Sequence, residues 1–490
     1  MATELRLPVP PGFTITTEAC RAYLGGEWPH GLDVELRSQM EALGEAVGRR
    51  FGDRSDPLLV SVRSGAPVSM PGMMDTILNL GLNPTTVTAV ARLQGPEFAT
   101  DCFRRFRESY SSVIGTLDVP DDPWVQLRAA IEAVFRSWNS DRAVAYRARE
   151  GISEELGTAV TVQAMVFGNR GDDSGTGVLF TRNPSTGVRE MYGDFMFNAQ
   201  GEDVVAGGHA TLPISALGER LPDAYAELAR HADALERHFA DLADIEFTVE
   251  DGRLWMLQCR VGKRSPRAAL KTAADMADDD SFPLSREEAV QRVLPLLADV
   301  PRVFARSDDG AVAILRGLPA SPGVASGVVA LSSEEAERVA DAGQSVILVR
   351  PETSPEDVRG MSRAAGVLTA RGGLASHAAV VARGWGIPAV VGAEAVEVRD
   401  GEVVVVGRRL GAGDVITVDG GTGEVFAGSV EGSTITAPEV GILLGWARKA
   451  GIEIVGAQAP ARGGTSPSSS AAVDADPVIR LTAIKRSPLP

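Results

Sequence analysis

Cysteine is scarce in this 490-residue chain: Cys20, Cys102 and Cys259 lie far apart and are odd in number. Without a CxxC or a zinc-type spacing, a disulfide framework and a cysteine metal site are excluded, and reduced packing thiols are expected. Long apolar runs are also missing. None approaches the roughly 20 residues a membrane span needs, and the start MATELRLPVPPGF has no basic segment followed by an apolar one. Positive charge is in deficit: a formal charge of −17 argues against broad binding to nucleic acid or anionic membranes, though a local basic cleft for a nucleotide stays open. Neither GxxxxGKS/T nor GxGxxG occurs. The expected setting is cytoplasmic, with no nucleic acid and no membrane as partners.

With 44% hydrophobic and 23% charged residues over this length, there is material for two or three globular domains. Residues 1 to about 270 alternate apolar strands with amphipathic patterns and read as mixed α/β. From Ser265 to about Ala305 the chain is Ala- and acid-rich and reads as a helical connector. Gly317 to about Gly428 is strand-rich (VASGVVAL, SVILVR, GVLTA, PAVVG), with helices expected at Ser333–Ala342, Ser354–Met361 and Ser376–Arg383. A short helix near Glu439–Ala450 precedes an end rich in Gly, Ser, Pro and Ala, expected to be disordered. The boundaries are therefore 1–264, 265–316, 317–430 and 431–490.

The segment RGGLASHAAVVARG, Arg371 to Gly384, puts one histidine where a glycine-rich loop enters a helix. Gly372 and Gly373 permit a sharp turn, Ser376 is placed to cap the helix, and His377 falls in the first turn. Unpaired N–H groups and the positive end of the dipole favour an anion there, by about 0.3–1 kcal/mol for an exposed charge. A phosphorylated imidazole is such an anion, although a surface histidine of an ordinary βα unit would leave the same trace. In Leu58 to Asn83, a strand carrying Arg63 leads into a loop with Gly65 and Gly72 and then a helix expected to start near Asp75, an arrangement suited to polyphosphate. In Asp244 to Arg264, a hairpin turns at Glu250-Asp251-Gly252. A two-residue loop pairs Glu246 with Leu257 and turns Gln258 away. A three-residue loop, the preferred reading, pairs Glu246 with Met256 and lines up Glu246, Gln258 and Arg260. That face offers a carboxylate for Mg²⁺, an amide for a metal or ribose, and an arginine for phosphate. His231 and His238 share a helical face and read as solvated.

Together LPVPPGFTITTEAC, SVRSGAPVSMPGMMDT, VQAMVFGNRGDDSGTGVLFTRNPSTG, IEFTVEDGRLWMLQCRVGKR, LPASPGVASG, ILVRPETSPEDV and RGGLASHAAVVARGWGIPAVVG resemble the pyruvate, phosphate dikinase family, as far as about Trp446. The resemblance implies an α/β (α+β) architecture: an ATP-grasp-like nucleotide-binding domain, a helical linker and a swivelling β/β/α phosphohistidine domain. It implies that His377 is the catalytic phosphoryl carrier and Arg63 a nucleotide-phosphate ligand. Gly72, Met73, Asp75 and Thr76 would belong to the polyphosphate cradle, and Glu246, Gln258 and Arg260 would contact ATP. Glu246 and Gln258 would also meet Mg²⁺, with ATP and phosphate as substrates.

Three departures accompany the match. The chain starts at LPVPPGF without the family's preceding GGKGANL-type lysine element, it ends in a polar tail where the family's phosphoenolpyruvate/pyruvate barrel starts, and Ala375 stands where kinase-regulated members carry threonine. The functional expectation is a dikinase-like phosphotransferase. It phosphorylates His377 while converting ATP and phosphate to AMP and pyrophosphate, and a separate chain supplies the barrel. The alternatives are an inactive truncated paralogue that binds nucleotide or a partner, and a relay to a different small molecule.

Overall fold

The computed structural model describes residues 4–454 apart from positions 67, 69, 71–75, 205–210, 301–302, 307–311, 375, 400–401, 406–407, 412 and 431. At positions 149, 202, 303–306, 355, 398–399, 402–403, 405, 408, 410 and 432–435 it describes the backbone alone. The sequence-expected tail from Gly456 onward, Gly72, Met73, Asp75, His209 and Ala375 lie outside the described residues. The chain forms two compact units, one running to Gly175 and including Thr248–Leu257, the other comprising Thr176–Phe247 and, of the described residues, Gln258–Ile454.

The first unit is built on a four-stranded antiparallel sheet in the order Gly12–Ile15, Ala159–Ala164, Val60–Gly65, Thr76–Leu80. Val60, Val62, Ile77, Leu80, Val160 and Val162 point into a core shared with Phe106, Tyr110, Ile131 and Phe135 of the helices Pro96–Ile114 and Pro123–Ser137. Proline opens both helices, where its fixed φ suits the first turn and its missing N–H costs nothing. The helix expected near Asp75 is instead the strand Thr76–Leu80. Its TILNL run is buried from Ile77 on and completes the ladder against Val60–Gly65, so tertiary pairing overrides the Gly-rich-loop-to-helix reading. A helix starts only at Pro84, where Asn83 accepts from the Thr85 and Thr86 amides and Thr86 bonds back.

The strands Tyr192–Phe197 and Gly175–Phe180 neighbour Ala243–Glu250 and Arg253–Val261 in one sheet. A second, eight-stranded sheet has four parallel central strands, Val324–Ala330, Val346–Arg350, Gly366–Thr369 and Ala389–Val391. Val346 and Leu348 face a core with the helices Ser333–Asp341 and His377–Trp385, while Ile347 and Val349 face another core on the opposite side. Burial on both faces is why SVILVR reads as an unbroken apolar run rather than an alternating one.

Before and after this sheet the chain forms a helical cluster. Pro266–Asp278, Arg286–Arg292 and Leu294–Ala298 pack with Glu439–Ala450 around Leu270, Met276, Val290, Leu443 and Trp446. Two strands, Val303–Arg306 and Gly432–Ile435, pair antiparallel, so the chain enters and leaves the eight-stranded region side by side. Leu443 is fully buried in the cluster. Leu443→Ala is therefore expected to lower unfolding free energy by about 2–5 kcal/mol, the scale for an incompletely collapsed leucine cavity, read by denaturant unfolding followed at Trp446.

Candidate functional site

The loop after Gly366–Thr369 is shaped by close approaches. Thr369 Oγ1 donates to the Arg371 carbonyl at 2.7 Å. Gly372 takes φ +109°, and a Cβ there would lie 3.0 Å from the Ser376 side chain. At Gly373 a Cβ would stand 2.5 Å from Asp194 Oδ2 and 2.7 Å from Thr211 Oγ1, so only glycine fits against that carboxylate. Ser376 occupies the N-cap with extended backbone, but its hydroxyl makes no capping bond, contrary to expectation, and stays buried without a partner. His377 is the first residue of the helix, which closes at Gly386 in the left-handed region.

The two ring nitrogens of His377 are treated differently. Nδ1 lies 3.2 Å from Thr353 Oγ1, whereas Nε2 is buried and has no hydrogen-bond partner. The tautomer in which Nδ1–H donates to Thr353 leaves a lone pair on Nε2 and strands no hydrogen. Burial pushes the pKa of His377 from its ordinary 6.5 down to about 4, with the Asp357 and Glu356 carboxylates pulling the other way. By surface area the residue is only half-buried, but Nε2 itself is covered, and cover at the nitrogens governs the cost of charging the ring. Asp357 is held by Ser333 Oγ at 3.1 Å, the Ser354 amide at 3.0 Å and Arg350 Nε at 3.2 Å. Thr353 was not singled out from the sequence; in RPETSPED it reads as one polar turn residue among several.

Of the residues expected to contact nucleotide, Arg63 pairs across the ladder with Thr76 on one side and Thr161 on the other, so two of them are brought together. Asp251 and Gly252 have φ of +50° and +75°, which makes the hairpin loop two residues long and corrects the three-residue expectation. Counting from the turn, however, the Gly262 amide bonds the Leu242 carbonyl at 2.8 Å, which requires one extra residue in Arg253–Val261. With that extra residue Arg260 comes to the face of Glu246. Arg260 Nε lies 2.8 Å from Asp244 Oδ2, and its Nη2 lies 3.9 Å from Glu246. Gln258 is exposed on the same strand. Asp244 was missed from the sequence, although D-I-E alternation puts it on the face of Glu246. Its side chain is 3% exposed, and Oδ1 has no partner.

Among the described residues no group of three His, Cys, Asp or Glu is arranged to hold a metal by itself. The chemistry of the donors nonetheless fits Mg²⁺, which usually takes one or two carboxylates and completes its shell with substrate phosphates and water. Asp244 and Glu246 would serve, and the unpartnered Asp244 oxygen is a carboxylate lone pair with nothing else to bind. Cys259, on the same hairpin, is held protonated by burial, with the Asp244 charge adding to the effect, at about 12. Burial likewise raises the Cys102 thiol to about 12, so both behave as packing groups. His231 lies 3.5 Å from Glu227, and His238 packs edge-on to Phe239. Among the described residues no helix is long and apolar enough to cross a membrane.

Comparison with known proteins gives two family matches. "Pyruvate phosphate dikinase, AMP/ATP-binding domain" matches residues 24–211 and 218–281, and "PEP-utilising enzyme, mobile domain" matches residues 342–423. The chain is similar to a pyruvate, phosphate dikinase of Rhizobium meliloti (strain 1021), 46% identical over 87% of this chain and 54% of that protein. It is similar to pyruvate, phosphate dikinase 2 of Oryza sativa subsp. japonica, 44% identical over 87% of this chain and 54% of the relative. It also resembles the chloroplastic pyruvate, phosphate dikinase 1 of Arabidopsis thaliana, 43% identical over 91% of this chain and 52% of the relative. The chain thus spans about half the length of the curated relatives it matches.

Two outcomes are expected at His377. Its ring should stay neutral down to about pH 5 and titrate near 4 in histidine-labelled NMR spectra. Because the folded value lies below the ordinary 6.5, the unfolded chain takes the proton first. The ring's contribution to stability is whole above about pH 6.5 and is lost as the pH falls toward 4. Thr353→Val should cost about 1–3 kcal/mol in chemical denaturation by stranding Nδ1–H, and Thr353→Ser should recover most of it.

Proposed function

The chain belongs to the pyruvate, phosphate dikinase family, and we propose that it performs the nucleotide half of a dikinase reaction, moving the β-phosphoryl group of ATP onto His377. In this reading residues 1–264 form the nucleotide-binding domain, 265–316 the linker and 317–430 the swivelling phosphohistidine domain. The observation that carries the proposal is the covered, unpaired Nε2 of His377 at the start of a helix. A neutral nitrogen nucleophile needs a lone pair free of proton and partner, and the phosphorylated product is an anion that the helix N-terminus favours.

The atoms balance as follows. The Nε2 lone pair attacks the β-phosphorus, the bond to the α–β bridging oxygen breaks, and AMP leaves with that electron pair. Inorganic phosphate then attacks the γ-phosphorus, the β–γ bridging oxygen stays with the β-phosphoryl group, and pyrophosphate leaves. Arg63 and Arg260 neutralise phosphate charge, with Thr76, Gly72, Met73 and Asp75 forming the rest of the cradle. Mg²⁺, held by Asp244 and Glu246 with help from Gln258, would add positive charge at the phosphate oxygens. Thr353 keeps the imidazole oriented and takes its Nδ1 proton as a hydrogen bond. A cytoplasmic setting supplies both substrates, and a separate chain carrying a phosphoenolpyruvate/pyruvate barrel is the proposed acceptor of the phosphoryl group.

The test is label transfer from ATP carrying radioactive β-phosphate, with Mg²⁺, to the purified chain. An acid-labile, base-stable adduct is expected, lost in His377→Ala and slowed about 10²-fold or more in Arg260→Ala, the scale for removing one charge-stabilising donor. Nucleotide binding with no adduct would overturn the proposal and leave a nucleotide-binding protein.

A further inference from the structure

The helix that begins at His377 carries, near its other end, an arginine that is wholly buried. Arg383 is 0% exposed, a position the residue rarely takes unless its donors are occupied. Nε donates to the Ala320 carbonyl at 2.7 Å. Nη2 donates to the carbonyl of Leu374, in the loop just ahead of His377. The Ala320 carbonyl also accepts from the Ser185 hydroxyl at 3.1 Å, so the two side chains share one acceptor. The guanidinium carbon lies 5.2 Å from the centroid of the Phe180 ring. Nη1 has no hydrogen-bond partner. Burial disfavours the charge, and Tyr192, Asp244 and Asp194 oppose that effect.

These contacts come from two stretches of chain far apart in sequence. Ala320 and Leu374 belong with the eight-stranded sheet that carries His377, while Ser185 and Phe180 belong with the strands beside Asp194 and Asp244. Val380, on the same helix, packs among Val178, Phe180, Val204 and Leu242. Gly373 meets Asp194 along the same seam. Two successive loop residues are thus fixed, Gly373 by contact with Asp194 on these strands and Leu374 by its bond to Arg383 of the helix itself.

We propose that Arg383 is a positioning residue that ties the shape of the His377 loop to the seating of its helix on the Gly175–Phe180 and Tyr192–Phe197 strands. The inference rests on the reading of His377 as the phosphoryl acceptor. When seated, the guanidinium is covered by Phe180, shares the Ala320 carbonyl with Ser185, and holds the Leu374 carbonyl. When the helix leaves those strands, the ring and the hydroxyl are lost together, water reaches the guanidinium, and the Leu374 carbonyl is no longer the best acceptor available. The loop then slackens. His377 is presented in order only where the nucleotide-side strands are in place.

Hydrogen exchange on the full chain without nucleotide tests this. Arg383→Met should speed exchange in 371–377 at least tenfold while leaving 286–298 unchanged. Ser185→Ala, which changes no residue of the eight-stranded sheet and leaves the Ala320 carbonyl its bond from Arg383, should speed the same loop at least threefold. A brace acting only within the His377 region would respond to Arg383→Met and not to Ser185→Ala, and that result would overturn the proposal, as would no change in either variant. If Arg383→Met loses protection at 286–298, Arg383→Lys takes its place. A lysine reaches only one of the two carbonyls, so intermediate exchange is expected, and wild-type exchange would contradict the idea. Label transfer is read alongside: Arg383→Met should lower the rate at saturating ATP at least tenfold without changing nucleotide affinity. Failure of the wild type to label would sink the phosphoryl reading while the exchange result still judged the positioning role.

Discussion

Everything in this structure turns on keeping one imidazole nitrogen both covered and unpaired. Burial alone would be wasteful, since an orphaned polar atom typically costs about 1–3 kcal/mol. The fold limits that penalty by giving Nδ1 to Thr353 and leaving Nε2 as a lone pair, the less demanding half of the ring. The same cover that strips solvent from the ring also keeps it unprotonated at neutral pH. Geometry and electrostatics therefore favour one outcome, a neutral imidazole with a covered, unpaired nitrogen at a helix start.

The residues around Arg260 are organised by opposite means. Arg260 is balanced by Asp244, which is nearly fully buried, and stands near Glu246, so positive and negative groups are already interleaved before any ligand arrives. Such a cluster holds its side chains in place, and in the proposed reading phosphate and cation contacts would replace its internal pairing. A further carboxylate, Asp194, stands against Gly373 at the edge of the His377 loop.

Much of this was legible in the sequence, for identifiable reasons. Strong apolar runs marked the central strands, and a glycine pair before a small-residue helix marked His377. Glu439–Ala450 was readable because its pattern is amphipathic over its full length. The misreadings lie where tertiary structure decides. TILNL forms a strand because a partner awaits it, and the hairpin recovers its face through a bulge that no turn rule announces. Thr353 and Arg383 act on residues distant in sequence or on backbone carbonyls, and neither leaves a periodic trace. Asp244 shares a strand face with Glu246 by the same alternation, but the sequence does not show that its carboxylate is buried against Arg260.

The measurement that bears most directly on the account is the site of phosphorylation on the ring, read by ³¹P–¹⁵N coupling in histidine-labelled protein after incubation with ATP, phosphate and Mg²⁺. The structure predicts phosphorus bonded to Nε2 of His377, with Nδ1 still carrying its proton toward Thr353. Phosphorus on Nδ1, or on a different residue, would contradict it.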